Sequence, residues 1–188
     1  MLTKFDWVLQ DGEIYVMGVT FDRSLSFNGH IDQVVKDCLQ LFALDDPHAI
    51  LSIYIGLVRS KLDFASVVWR PLYVTQINRL EQIQKKFVRF ALRHLGWKND
   101  ELPPYQQLCG LVDLDTVHSR HTIADVTFFS NVLAGRTKSQ RLRDNLTFND
   151  SPTVLRRRRI FEPPNRSRNY TQHEPCTRFM TEFNLWQM

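Results

Sequence analysis

The stretch of sequence that most constrains the fold reads Leu57-Val58-Arg59-Ser60-Lys61-Leu62-Asp63-Phe64-Ala65-Ser66-Val67-Val68-Trp69-Arg70-Pro71. Just upstream, residues 49–58 are apolar at nearly every position, and Asp45-Asp46-Pro47 supplies an N-cap acid followed by a proline suited to the first helical turn. These signals predict a helix from about Pro47 to Val67, buried among other elements at the centre of the core. Pro71 ends that helical region.

The next segment, residues 76–95, is strongly two-faced. The positions expected to pack step by three or four along one side: Ile77, Leu80, Gln84, Phe87, Ala91 and Leu95. Basic residues occupy the opposite side, with Arg79, Lys86 and Arg93 at seven-residue intervals, joined by Lys85 and Arg89. This spacing predicts an amphipathic helix with one packing face and one positive face, followed by Gly96 as its C′ residue.

Shorter elements are predicted on both sides of these helices. Apolar runs at residues 7–9 and 14–16 flank Gln10-Asp11-Gly12-Glu13. Because Asp-Gly tolerates the positive φ values of a two-residue loop, we expect a β-hairpin there. Downstream, a short apolar segment over residues 105–111 precedes a helix predicted from about Asp115 to Ala134 and closed by Gly135.

Helical periodicity fades from Asn145 onward, where Arg, Asn, Pro and Thr predominate. The sequence therefore predicts a mainly α protein in three parts. Residues 1–31 form a β-hairpin, residues 32–144 form a helical bundle, and residues 145–188 form an irregular, partly extended, basic tail with aromatic anchors.

Length and composition fit an intracellular protein, which we expect in the nucleus or the cytoplasm. The 188 residues allow one domain, or one domain with a tail. No run reaches the roughly 18 apolar residues that a membrane span needs, and the N-terminus lacks the apolar core of a secretory signal. Three widely spaced cysteines, Cys38, Cys109 and Cys176, argue against a disulfide framework. We expect no membrane partner.

Positive charge is concentrated toward the C-terminal end. Residues 136–188 hold eleven Arg or Lys residues against five Asp or Glu residues, a local balance of +6 within a chain whose net charge is +4. The rest of the chain is therefore slightly acidic. A polyanion is the class of partner that this distribution favours.

A series of landmarks, taken in order, resembles the C-terminal part of reverse transcriptases of jockey-like and related non-LTR retrotransposons. The landmarks are Met17-Gly18-Val19-Thr20-Phe21-Asp22, Leu25-Ser26-Phe27, His30-Ile31, Asp46-Pro47, residues 57–69 with Pro71, residues 80–87, Arg136, Leu142-Arg143, Arg168-Asn169-Tyr170, Pro175 and Phe183-Asn184. They span nearly the whole chain. Between His30-Ile31 and Asp46-Pro47 the chain departs from the family pattern, because the interval is shorter.

In that family the glycine-valine segment lies at the exit of the polymerase palm, and the following helices form the thumb and a C-terminal extension. The resemblance implies a thumb-like domain that grips the backbone of a template-primer duplex. It implies no catalytic residue and no cofactor for this chain, because the family's catalytic aspartates lie upstream of the matched region. We therefore expect no polymerisation by this chain alone.

Two other patterns are similar to metal sites but lack their full ligand sets. Phe42-Ala43-Leu44-Asp45-Asp46 is similar to a polymerase motif that holds two metal ions, yet it follows the palm-exit landmark and stands at a helix entrance, so helix capping explains it better. Two groups fall short of a zinc site with four ligands: Cys109 with His118 and His121, and His173 with Cys176. No metal ligand is predicted, and His121 is expected at the edge of the core.

The candidate nucleic-acid-binding residues are all basic: Arg79, Lys85, Lys86, Arg89, Arg93, Arg156, Arg157, Arg158 and Arg159. Cations spaced along a helix can neutralise successive phosphates without reading the bases. The alternatives are an ordinary solvated face on the helix and a charged tail without a binding role. Phe161 and Tyr170 either stack on unpaired bases or anchor the tail to its own domain.

Three functions remain open at this point. The chain is a fragment that lacks the palm but binds the backbone of RNA or DNA, or it is part of a longer active RNA-directed DNA polymerase. As a third alternative, it is a non-catalytic interaction protein or a relic without function, in which the apolar helix of residues 49–58 associates with itself or another chain.

Overall fold

The computed structural model describes residues 8–10, 13–41, 50–71, 73–98, 102–149, 159–164 and 175–186. The chain falls into two units, Met1–Arg120 and His121–Met188, and the boundary between them lies within a helix. The mainly helical class with an N-terminal β-hairpin is confirmed. No helix among the described residues is long and apolar enough to cross a membrane.

The first unit begins with a three-stranded antiparallel sheet in the order β1 (Val8–Gln10), β2 (Glu13–Val16) and β3 (Val19–Phe21). Gln10 pairs with Glu13, so two residues connect β1 and β2, as the Asp-Gly signal predicts. The third strand was not predicted. Its turn, Met17-Gly18, has positive φ at both residues (47° and 87°), a type I′ geometry that Met-Gly signals less clearly than Asn-Gly.

A carboxylate organises the loop that leads from β3 into the first helix, α1 (Asn28–Gln40). Both oxygens of Asp22 accept hydrogen bonds, from the backbone N–H and Oγ of Ser24 and of Ser26 and from the backbone N–H of Phe27, at 2.5 to 3.1 Å. Desolvation raises the pKa of Asp22, but the donated hydrogen bonds outweigh it and hold the pKa at about 2. The ionised side chain of Asp22 therefore stabilises the conformation of this loop through its hydrogen bonds.

The central helix predicted from Pro47 to Val67 is broken into pieces. They are α2 (Ile50–Ile53), a π-helical segment (Tyr54–Arg59), α3 (Ser60–Asp63) and α4 (Ser66–Trp69). The break lies at Phe64 and Ala65, where Ala65 has a left-handed φ of 52°. The indole N–H of Trp69 donates to the carbonyl oxygen of Phe64 at 2.7 Å and fastens this turn. The predicted N-cap, Asp45-Asp46-Pro47, lies outside the described residues.

Burial along this segment is one-sided, so the predicted burial on nearly every side is wrong for residues 52–58. Tyr54 and Val58 are buried, whereas Ile55 and Leu57 are 49% and 46% exposed. On either side of these residues in sequence, α1 contacts α3, and the next long helix, α5 (Val74–His94), contacts α2.

The amphipathic helix predicted over residues 76–95 is confirmed as α5, with ends within two residues of the prediction. Leu80, Gln84 and Phe87 are buried as expected, but Leu95 is 74% exposed because it lies beyond the last helical residue. The helix ends as predicted at Gly96, whose φ is 93°.

The remaining helices are α6 (Tyr105–Leu111), α7 (Val117–Leu133), α8 (Gln140–Asp144) and α9 (Pro175–Trp186). α6 and α7 match the two segments predicted there, and Gly135 follows α7 with a φ of 74°. The hydrophobic core of the first unit is formed by Val19, Ile31, Val34, Cys38, Tyr54, Val58, Leu62, Trp69, Leu80, Ile83, Phe87 and Val117.

A polar network runs through this core around the side-chain amide of Gln84, which is fully buried. Its oxygen accepts hydrogen bonds from the hydroxyl of Tyr54 at 2.6 Å and from Nη1 of Arg120 at 2.7 Å, and its nitrogen donates to the carbonyl of Asp115 at 2.8 Å. Nε of Arg120 pairs with Asp63 at 2.8 Å. Burial raises the pKa of Tyr54 to about 12, so Tyr54 stays a donor at all physiological pH values.

The second unit is built around phenylalanine rings. Phe129 contacts Phe161, Phe179 and Phe183 at centroid distances of 5.2 to 5.9 Å. The amide of Asn184 accepts from the backbone N–H of Phe161 and donates to its carbonyl. Asp125, fully buried, pairs with Arg178 at 2.9 Å.

The C-terminal part is thus more ordered than the sequence indicated. An irregular tail was predicted after residue 145, but α9 is a helix, and Phe148 and Phe161 form an antiparallel β-bridge. Long-range contacts among aromatic residues explain the difference, since the helix buries Phe179 and Met180 against residues far away in sequence. The division at residues 31 and 144 stays a prediction.

We expect Gln84→Ala to lower the free energy of unfolding by about 3 kcal/mol, because it leaves Tyr54 and Arg120 with buried donors that lack their acceptor. The matched control is Gln82→Ala, which makes the same change at an exposed position of the same helix and should shift stability by less than about 0.5 kcal/mol. Urea unfolding followed by circular dichroism compares the two. Equal losses would contradict the structural role of Gln84.

Candidate nucleic-acid interface

The five cations predicted on α5 lie along one side of the helix and differ in exposure. Arg79, Lys86 and Arg93 are exposed, whereas Lys85 and Arg89 are half-buried. At the rise of an α-helix, Arg79 and Arg93 are separated by about 21 Å along the axis. These five residues form the cationic row. A row of this length presents several cations in a fixed order to an extended polyanion.

The opposite face of α5 fixes which residues point outward. Leu80, Ile83 and Phe87 lie in the hydrophobic core, and Gln84 is held by the polar network. Rotation of α5 about its own axis would expose these apolar side chains to water and bury charged side chains in the core. Each of these changes is unfavourable. The core therefore orients the cationic row.

One carboxylate from another element approaches the row. Oδ1 of Asp32, on α1, lies 2.6 Å from Nη1 of Arg79, and the two side chains are 61% and 48% exposed. Because an ion pair this exposed contributes about 0 to 1 kcal/mol, a phosphate can compete with Asp32 for Arg79. No carboxylate among the described residues forms an ion pair with Lys86 or Arg93.

Glu81, the acid closest in sequence to the row, is engaged elsewhere. Its carboxylate accepts hydrogen bonds from the hydroxyl of Tyr105 at 2.5 Å and from the backbone N–H of His118 at 2.8 Å, in the first turn of α7. A carboxylate at a helix N-terminus is favoured by the helix dipole. Burial, with the hydrogen bond to Glu81, raises the pKa of Tyr105 strongly, so Tyr105 remains a donor. Glu81 therefore stabilises the contact of α5 with α6 and α7.

The other predicted residues lie in the second unit or outside the described residues. Arg159 is exposed in the second unit, and Arg156, Arg157 and Arg158 fall outside the described part of the chain. Phe161 is 1% exposed within the phenylalanine cluster, so its interpretation as an anchor is confirmed and base stacking by Phe161 is wrong. Tyr170 also lies outside the described residues.

Of the metal-like patterns, the group of Cys109, His118 and His121 lies entirely among the described residues. Among the described residues, no group of three or more His, Cys, Asp or Glu side chains is arranged to hold a metal ion. His121 is 2% exposed, more deeply buried than the core edge predicted for it. Asp45 and Asp46 lie outside the described residues, as does His173.

The sequence interpretation missed two features of this surface. Asp32 comes from a helix more than forty residues before Arg79, and no local pattern links them. The aromatic residues at the C-terminal end of α5, Phe90, His94 and Trp97, could have been noticed from their spacing of four and three residues.

No family model, no curated protein and no solved structure matches this chain.

Asp32→Asn should strengthen the binding of a short RNA oligonucleotide by up to about fivefold, because it releases Arg79 from its competing carboxylate. Asp37→Asn is the matched control. It changes the net charge equally and lies on the same helix, but Asp37 pairs with Lys61 at 2.7 Å, away from the row. Fluorescence anisotropy measures both affinities. Equal effects of the two variants would mean that only the overall charge matters.

Proposed function

We propose that this chain binds the sugar-phosphate backbone of RNA or DNA without sequence preference, through Arg79, Lys85, Lys86, Arg89 and Arg93 of α5. The observation that carries the proposal is the row itself: three exposed cations repeat every seven residues on one side of a helix whose other side is fixed in the core. Such a row neutralises phosphates and releases their counterions, which gives salt-sensitive affinity. The arginines 156–159 add positive charge elsewhere in the chain.

We also infer that the chain descends from the thumb and C-terminal extension of a non-LTR retrotransposon reverse transcriptase. The support is the ordered series of sequence landmarks from Met17 to Asn184. In this proposal the thumb-like helices hold a template-primer duplex, and nucleotidyl transfer belongs to a palm on a longer polymerase chain. Sequence-independent contacts suit that task, since a polymerase must hold every sequence that it copies.

Self-association is a second candidate function. Ile55 and Leu57, on the π-helical segment, are 49% and 46% exposed, and contact with a second copy of the chain would remove this apolar surface from water. Sedimentation equilibrium should then show a dimer that Ile55→Glu with Leu57→Glu dissociates and Leu95→Glu leaves intact. A wild-type monomer at every concentration would contradict this candidate.

The combined change of Arg79, Lys86 and Arg93 to Glu should weaken nucleic-acid binding on the order of a hundredfold at physiological salt, because three phosphate contacts are lost and replaced by repulsion. The control combines Arg23→Glu, Lys138→Glu and Arg141→Glu, three exposed cations that do not belong to the row, and so makes the same change in net charge. Anisotropy titration compares the two proteins. Equal weakening would show that overall charge, and not the cationic row, determines binding.

A further inference from the structure

Aromatic side chains gather at the C-terminal end of the cationic row. The ring of Phe90 is half-buried and packs against the core of the first unit. The ring of His94, one turn later and exposed, lies 4.5 Å from the Phe90 ring, and its Nδ1 is 3.0 Å from the carbonyl oxygen of Phe90. Trp97, the third residue after the helix ends at His94, is 39% exposed.

The backbone of Trp97 is fixed by the way in which α5 ends. The N–H of Gly96 donates to the carbonyl of Arg93 at 3.0 Å, and the N–H of Trp97 donates to the carbonyl of Leu92 at 3.1 Å. These two bonds are the Schellman pattern, in which the residue after the glycine packs toward the last helical turn. Among the described residues, leaving aside Gly96 and its two chain neighbours, no atom lies within 4 Å of the position that a Cβ would take on Gly96. A rigid backbone thus presents the indole.

The surroundings of Trp97 differ from those of the other tryptophans in the described residues. Trp69 is fully buried, and its indole N–H is bonded to Phe64. Trp186 is 60% exposed but lies on α9, in the second unit. Arg93, four residues before Trp97, and Lys98, directly after it, are both exposed, so this part of the chain combines an accessible aromatic ring with positive charge.

We propose that this end of α5 binds an unpaired base, so that the protein prefers single-stranded RNA or DNA, or a duplex with a single-stranded extension, over a blunt duplex. The inference rests on the proposed backbone binding and adds a class of ligand to it. Cations alone contact both forms, since both carry phosphates. Inside a duplex the faces of each base are covered by its neighbours, whereas an unpaired base can stack on Trp97 while its phosphates contact Arg89, Arg93 or Lys98.

The test compares Trp97→Leu with Trp97→Phe in the full chain. Leucine keeps an apolar contact at the helix end but cannot stack, whereas phenylalanine retains a ring. Trp97→Leu should weaken binding of a single-stranded oligonucleotide about fivefold to a hundredfold and leave blunt-duplex binding within about twofold. Trp97→Phe should recover most of the loss. Trp186→Leu is the matched control and should bind as wild type, and circular dichroism verifies that all variants fold.

Two further ligands test whether the effect of Trp97 requires bases and nucleic acid. An abasic strand of the same length should bind wild type and Trp97→Leu equally, because it has phosphates but no bases. Anionic phosphatidylserine vesicles should show no dependence on Trp97. Equal loss for strand and duplex, no loss for either, or a Trp97-dependent affinity for the vesicles alone would overturn the inference. If wild type binds no nucleic acid at all, the proposed function itself fails, which is a different result from binding that ignores Trp97.

Discussion

The buried amide of Gln84 is the interaction on which the first unit depends. A primary amide can accept and donate hydrogen bonds at once, and here the oxygen accepts from the hydroxyl of Tyr54 and from Nη1 of Arg120 while the nitrogen donates to the carbonyl of Asp115. The amide of Gln84, on α5, therefore links that helix by hydrogen bonds to the π-helical segment and to the start of α7. Inside a core of low dielectric constant, each of the groups bonded to the amide is strongly unfavourable without its partner, so this arrangement of hydrogen bonds is favoured over others. That arrangement sets the rotation of α5 and, with it, the direction of the cationic row.

Local sequence signals predicted the elements whose ends are determined locally. Neighbouring residues alone predicted the amphipathic helix α5, its end at Gly96 and the hairpin at Asp-Gly. The structure contains all three. The break at Phe64 and Ala65 was not predictable in this way, because alanine favours helix and the left-handed conformation is held by a hydrogen bond from Trp69. Similarly, α9 gains its stability from contacts with distant aromatic residues, and Asp32 reaches Arg79 only in the folded chain.

The stretch of residues 57–71 and the cationic row have different tasks. Leu62 and Trp69 fill the core, and Asp63 pairs with Arg120, so this stretch contributes to folding. The exposed cations lie on the helix that follows. This separation explains why the proposed function depends on residues outside the stretch that most constrains the fold.

The salt dependence of binding tests the central proposal most directly, because it counts the phosphates that the protein neutralises. Arg79, Lys86 and Arg93 can be changed together to Gln, which removes three charges without adding repulsion. The slope of log K against log salt should then fall in magnitude by about 2 to 3, since each lost phosphate contact contributes about 0.7 to 0.9. Binding that weakens with an unchanged slope, or that does not weaken, would show that the row makes no phosphate contacts and would contradict the account.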